Sequence, residues 1–202
     1  MTLKLRDLLE KALLAGFTAW FALRIAFAIA DGESSWVSAL VLVGEILVLV
    51  FVFVRRPATE LSTSWREWLV ALAASSPPLF VEPSGNQLAP TWIIAVVFLV
   101  GAILQLAAKL NLNRSFGLVP ANRGIVTTGF YGIVRHPVYA TYLIGHIAFL
   151  LANWSVWNLC VYAVGWALQI ARMLAEEALL MRDPAYVAYR RNVRYRLAPG
   201  IF

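Results

Sequence analysis

Apolar residues along the chain gather into six runs, over 12–30, 36–54, 68–80, 91–110, 137–151 and about 159–181, with short polar stretches between them. Crossing a ~30 Å hydrocarbon core takes a helix of about 20 predominantly apolar residues. The pattern therefore predicts an all-α fold, a polytopic transmembrane helix bundle of about five to six spans. The third run is the weakest, because Ser75, Ser76, Pro77 and Pro78 interrupt it and proline removes helical hydrogen bonds; its outer end is expected to be broken or shallow. The fifth covers only about 22 Å at ~1.5 Å per residue. The sixth, counted over 158–182, reaches about 36 Å and should project past the hydrocarbon. Between the fourth and fifth runs lies the longest polar stretch, 111–136, whose Phe116, Ile125, Val126, Phe130 and Tyr131 argue for an ordered functional loop. After Arg182 a short helix is expected to start at Pro184, as an interfacial or lid element.

Composition sharpens this picture. Hydrophobic residues make up 61% and charged residues 14% of 202 residues, with a mean hydropathy of +0.73. An ordinary soluble domain is about half apolar and about a quarter charged, so a soluble globule is excluded. Lysine and arginine exceed acidic residues by 17 to 11, an excess that in a membrane protein reports orientation and calls for no nucleic-acid partner. The inter-run segments 31–35, 81–90 and 152–158 contain no lysine or arginine, whereas Lys4, Arg6, Lys11, Arg55, Arg56, Arg66, Lys109, Arg114, Arg123 and Arg135 fall on the other side. The positive-inside rule then puts both termini in the cytoplasm. A basic start precedes the first run, but no small-residue cleavage signal follows it, so that run is expected to be a retained helix. The lone Cys160 permits neither an internal disulfide nor a cysteine zinc site, and no metal is expected. One integral membrane domain, 1–202, is predicted, with its N-terminal spans in 1–110.

Ionisable groups at membrane depth need partners or a purpose. Arg24 and Glu45 sit at comparable depths on neighbouring antiparallel runs, and a structural ion pair is the favoured reading. Gln105 and His146 read as interhelical hydrogen-bonding groups. Arg172, Glu176 and Glu177 stand within six residues at the inner end of the sixth run. Arg172 and Glu176 share a helix face, and Glu177 is turned about 100° from Glu176. One carboxylate can neutralise the arginine and leave the other free. His136-Pro137 opens the preceding antiparallel run at that same interface, so a helical hairpin brings the two motifs to one depth.

The ordered set Gly129-Phe-Tyr131-Gly-Ile-Val-Arg135-His136-Pro137-Val-Tyr139, then Arg172-x-x-x-Glu176-Glu177-x-x-Leu180, then Tyr186-x-x-Tyr189-x-x-x-Val193 resembles the isoprenylcysteine carboxyl methyltransferase family of integral membrane methyltransferases. It covers about the last 80 residues, and the first 110 carry no matching motif. The resemblance implies that 111–202 is the cofactor-binding catalytic region, with an S-adenosylmethionine site built from the cytoplasmic loop, the His-Pro helix start, the inner end of the sixth run and the C-terminal segment. Tyr131, Val134, Arg135, His136, Pro137, Tyr139, Glu177 and Tyr189 would lie against the cofactor, with Arg172 and Glu176 at the reacting groups. It also implies methyl transfer to a lipidic acceptor entering from the bilayer, foremost a carboxylate, with thiols and amines open, and so compact a relative is expected in a bacterial or archaeal inner membrane. No glycine-rich dinucleotide fingerprint follows a predicted strand. Two other readings stay open. A sterol-reductase-like enzyme could use Arg190, Arg191 and Arg194 against the 2′-phosphate of NADPH, and a non-enzymatic scaffold or small transporter needs no cofactor, although no polar track crosses the midplane.

Overall fold

A computed structural model describes residues 2–31, 36–83 and 86–202, with the side chains of 28 and 36–41 outside that description. Among the described residues the chain forms seven α-helices: α1 (Leu3–Ala30), α2 (Trp36–Val54), α3 (Trp65–Ala74), α4 (Thr91–Leu112), α5 (Pro137–Ala152), α6 (Val156–Leu180) and α7 (Pro184–Asn192). Two of them, α4 and α6, are long and apolar enough to cross a membrane. Their outward faces carry Val96, Val100 and Ile103 on α4 and Val164, Ile170 and Leu174 on α6, all exposed. Apolar patches of this extent belong in lipid.

The helices pair as α1 with α2, α4 with α5 and α3 with α6. Gly101 lets α4 approach α5 closely, since a Cβ there would meet Ile144 Cγ2 at 2.9 Å, the role small residues play where membrane helices cross. A two-stranded antiparallel pair, β1 (Glu60–Leu61) with β2 (Ala121–Asn122), joins the α2–α3 connection to the 111–136 loop. The main core lies where these meet: Leu14 of α1, Val48, Phe51 and Val52 of α2, Ala71 of α3, and Phe116, Leu118 and Val119 of the loop. His146 accepts a 3.0 Å hydrogen bond from Trp166 Nε1 and stacks on Tyr162, so it is the interhelical group its position suggested.

Three expectations change. First, α1 begins at Leu3, nine residues before the apolar run, because its first turns are amphipathic in an unusual sense. Leu5, Leu8 and Leu9 are exposed, whereas Glu10 is fully buried. Second, Arg24 and Glu45 do not pair: among the described residues no ion pair joins them, Arg24 is exposed and stacks over the Trp20 ring at 5.8 Å, and the basic group that acts on Glu45 is Lys109 of α4. Arg24 therefore lies on the exposed surface of α1. Third, the 68–80 run is no continuous helix. The ten residues of α3 span about 15 Å, half a hydrocarbon core.

Beyond α3 the chain continues along α6 without regular helix, apart from a 3-10 turn at Pro77–Leu79. Ser75 and Ser76 hydroxyls donate to the Ala71 and Ala73 carbonyls at 2.9 and 2.8 Å, closing the end of α3. Gln169 Nε2 donates to Ala74 O at 3.1 Å, Trp157 Nε1 donates to Phe80 O at 2.9 Å, and Asn158 both receives from Glu82 N and donates to Glu82 O at 2.9 Å. Gly165 makes room for the Pro77 ring, which would lie 2.5 Å from a Cβ. Irregular backbone in an apolar setting is tolerated only where such partners exist.

Candidate active site

The first turns of α5, the last turns of α6, the 111–136 loop and α7 enclose one cavity. Proline at the first position of α5 costs no hydrogen bond there and fixes its φ. His136 and Tyr139 are consequently presented together, edge to face at 5.5 Å, with Tyr142 against Tyr139 at 6.2 Å. From α6, one turn apart, come Arg172 and Glu176, and from α7, three residues apart, Tyr186 and Tyr189. All of these line the cavity, as do Tyr131 and Arg135.

Arg172 and Glu176 share a face as expected, yet neither carboxylate of the Glu-Glu pair neutralises the arginine. Arg172 stacks over Tyr139 at 5.4 Å and donates at 3.3 Å to Gly117 O and at 3.5 Å to Ser75 Oγ. No carboxylate lies within 4.0 Å of it among the described residues. Glu176 Oε2 accepts from Tyr139 Oη at 3.1 Å, and Oε1 has no protein donor among the described residues. The site thus presents a cation and a carboxylate on one wall, both with spare capacity.

Glu177 is turned away and does not line the cavity. Its Oε1 accepts from Arg135 Nε at 2.8 Å and meets His136 Nε2 at 3.1 Å, while Oε2 accepts from Arg196 Nε at 3.0 Å. With both oxygens engaged and the side chain buried, Glu177 joins three segments, so the carboxylate expected against the cofactor here holds Arg135, His136 and Arg196. Arg135 extends this joint by donating to the Val193 and Arg194 carbonyls at 3.0 and 2.7 Å. The backbone amides of Arg135 and His136 donate to Tyr195 O and Arg196 O at 2.9 Å each. Val134 and Pro137 also lie behind the wall: both are buried and neither faces the cavity.

Tyr189 Oη donates to Tyr131 O at 2.7 Å, which ties α7 to the loop. Burial, with the Glu177 charge adding to it, raises the Tyr189 phenol to about 12. Burial also pushes Tyr131 and Tyr186 up. All three are neutral hydroxyls near neutral pH, and that of Tyr189 acts as a hydrogen-bond donor. The Tyr186 hydroxyl is buried and lacks any partner among the described residues, which is uncommon enough to point to a ligand. Tyr142 and Tyr186 join the site without having been expected there. Tyr142 was detectable as the i+3 neighbour of Tyr139, and Tyr186 as the residue that shares the inner face of α7 with Tyr189.

The donor set suits S-adenosylmethionine: aromatic rings for a nucleoside, the free Glu176 oxygen for an ammonium or ribose hydroxyls, and the unpartnered Tyr186 hydroxyl for a further polar atom. Arg190, Arg191 and Arg194, the groups a 2′-phosphate would require, are exposed and outside the cavity. A comparison with curated proteins finds no match. Residues 89–186, which contain α4, α5, α6 and the loop, match the family described as phospholipid methyltransferase (PEMT). Through that region the chain matches the phospholipid methyltransferase family, the same group of integral membrane methyltransferases that its Arg-His-Pro and Glu-Glu motifs resemble.

Proposed function

We propose that the protein transfers a methyl group from S-adenosylmethionine to a lipidic acceptor, foremost a carboxylate, at the cytoplasmic membrane interface. The observation that carries this reading is Arg172, a cation on the cavity wall with no carboxylate within 4.0 Å among the described residues. A charge left so placed is suited to an anionic head group. S-adenosylmethionine supplies an electrophilic methyl group when bound. Tyr131, His136, Tyr186 and Tyr189 would hold its nucleoside and Glu176 its ammonium or ribose. Arg172 orients the acceptor's carboxylate and the aromatic wall excludes water, so the cost of alignment is met on binding. A carboxylate is already ionised near neutrality, and no general base is required.

The family match over the site-bearing helices supports methyl transfer over the reductase reading, as does the placement of Arg190, Arg191 and Arg194 outside the cavity. The acceptor would enter sideways from the bilayer and the cofactor from the cytosol. Calorimetric titration of the purified protein with S-adenosylmethionine and with NADPH separates the readings, since only the former should bind. Arg172→Ala should lower methyl transfer to a lipidic carboxylate by at least about 100-fold while S-adenosylmethionine affinity stays within about twofold. Loss of cofactor affinity in that variant would move Arg172 to the cofactor side.

A further inference from the structure

The first helices of the chain, outside the family-matched region, meet Arg123 of the 111–136 loop in a buried charge cluster that touches the site. Glu10 of α1 is fully buried. Its Oε2 lies 2.9 Å from Arg55 Nη1 and hydrogen-bonds Arg123 Nη2. Asp7, one turn earlier, accepts from Arg55 Nη2 at 3.0 Å and Arg123 Nη2 at 2.7 Å. Two carboxylates and two guanidiniums balance, as burial of charge demands. The other oxygen of Glu10 reaches a different segment, where Oε1 accepts the backbone amides of Leu118 and Val119 at 2.6 and 3.1 Å.

Those amides belong to the turn whose preceding carbonyl, Gly117 O, receives Arg172 Nη2 at 3.3 Å. A continuous path therefore runs from Glu10 through the 117–119 backbone to the guanidinium over Tyr139. Gly117 leaves no slack in it, because a Cβ there would stand 2.6 Å from Arg123 Nη1 and 3.2 Å from Glu10 Oε1. We infer that Glu10 is a positioning residue for the acceptor side of the site: by clamping the amides of Leu118 and Val119 it aims the Gly117 carbonyl that orients Arg172. This rests on the acceptor role proposed for Arg172. The same path makes α1, at the far end of the sequence, part of acceptor recognition.

The test compares Glu10→Ala and Gly117→Ala, which disturb the contact from its two sides, with Asp7→Asn, which removes one charge from the same cluster and leaves Glu10 Oε1 on its amides. The rate at which phenylglyoxal modifies Arg172, read by mass spectrometry on the full-length protein, should rise severalfold in the first two and stay unchanged in the third. Affinity for a long-chain fatty acid should fall about tenfold in the first two, with S-adenosylmethionine affinity retained. Wild-type Arg172 reactivity in Glu10→Ala or Gly117→Ala overturns the inference. So does an equal rise in Asp7→Asn, since charge balance alone would then be responsible. If Glu10→Ala does not accumulate, Gly117→Ala decides by the same two readouts. A changed reactivity with no fatty acid binding even to the wild type upholds the positioning role and refutes the carboxylate acceptor instead.

Discussion

Tyr186 is buried and its hydroxyl is without a partner among the described residues, a state that costs about 1–3 kcal/mol when nothing compensates it. Tyr186→Phe should therefore leave the thermal stability of the ligand-free protein unchanged or raise it, while weakening S-adenosylmethionine binding by about tenfold if that hydroxyl meets the cofactor. A melting curve and a titration on the same preparation check both signs, and reduced stability with unaltered binding would assign the hydroxyl to the fold. At this scale the sequence was informative about neighbourhood and less so about role. Tyr131, Arg135, His136, Tyr139, Arg172, Glu176 and Tyr189 do line one cavity, because motif spacing on a helical hairpin fixes depth. Glu176 and Glu177 could not be told apart in the same way, since a rotation of about 100° decides which one meets the cavity and which meets Arg135 and Arg196. Glu10 escaped notice altogether. It precedes the apolar run among ordinary-looking flanking charges, and its partners Arg55, Leu118 and Arg123 are remote in sequence.

The helices α2, α4 and α5 start where the apolar runs start and end within two residues of them, because in each case the run coincides with the helix. α1 and the 68–80 segment differ for one reason, namely that partners elsewhere in the chain override local pattern. Charges of the first turns of α1 are neutralised by Arg55 and Arg123, which lets the helix extend through residues that would otherwise be solvated. The C-terminal tail depends in a similar way on Glu177, whose loss would leave Arg135 buried without its carboxylate. Glu177→Ala should cost about 3–5 kcal/mol and free the tail beyond Arg182. Limited proteolysis would then cut within 183–202 at protease levels that leave the wild type intact. Uncut tail in a folded variant would mean that the backbone pairing of Arg135 and His136 with Tyr195 and Arg196 is sufficient on its own.

For the whole molecule, the absence of lysine and arginine from 81–90 and 152–158 motivates a topology in which those segments face outward and both termini are cytoplasmic. Glu82 and Asn153 should then react, as single cysteines in a Cys160→Ser background, with an impermeant thiol reagent added outside intact cells, and a cysteine at Arg123 should not. Labelling at Arg123 with protection of the other two would invert the orientation. The segment between Ala74 and Glu82 carries a consequence for how the chain is made. Its carbonyls are met by Gln169, Trp157 and Asn158, residues synthesised more than 70 positions later. During translation it has no autonomous means of satisfying its backbone in lipid, so it must linger at the interface or inside the insertion machinery until α6 emerges. Membrane integration is accordingly expected to be non-sequential, with the 74–82 segment settling only after α6, the template on which that earlier part of the chain is finished.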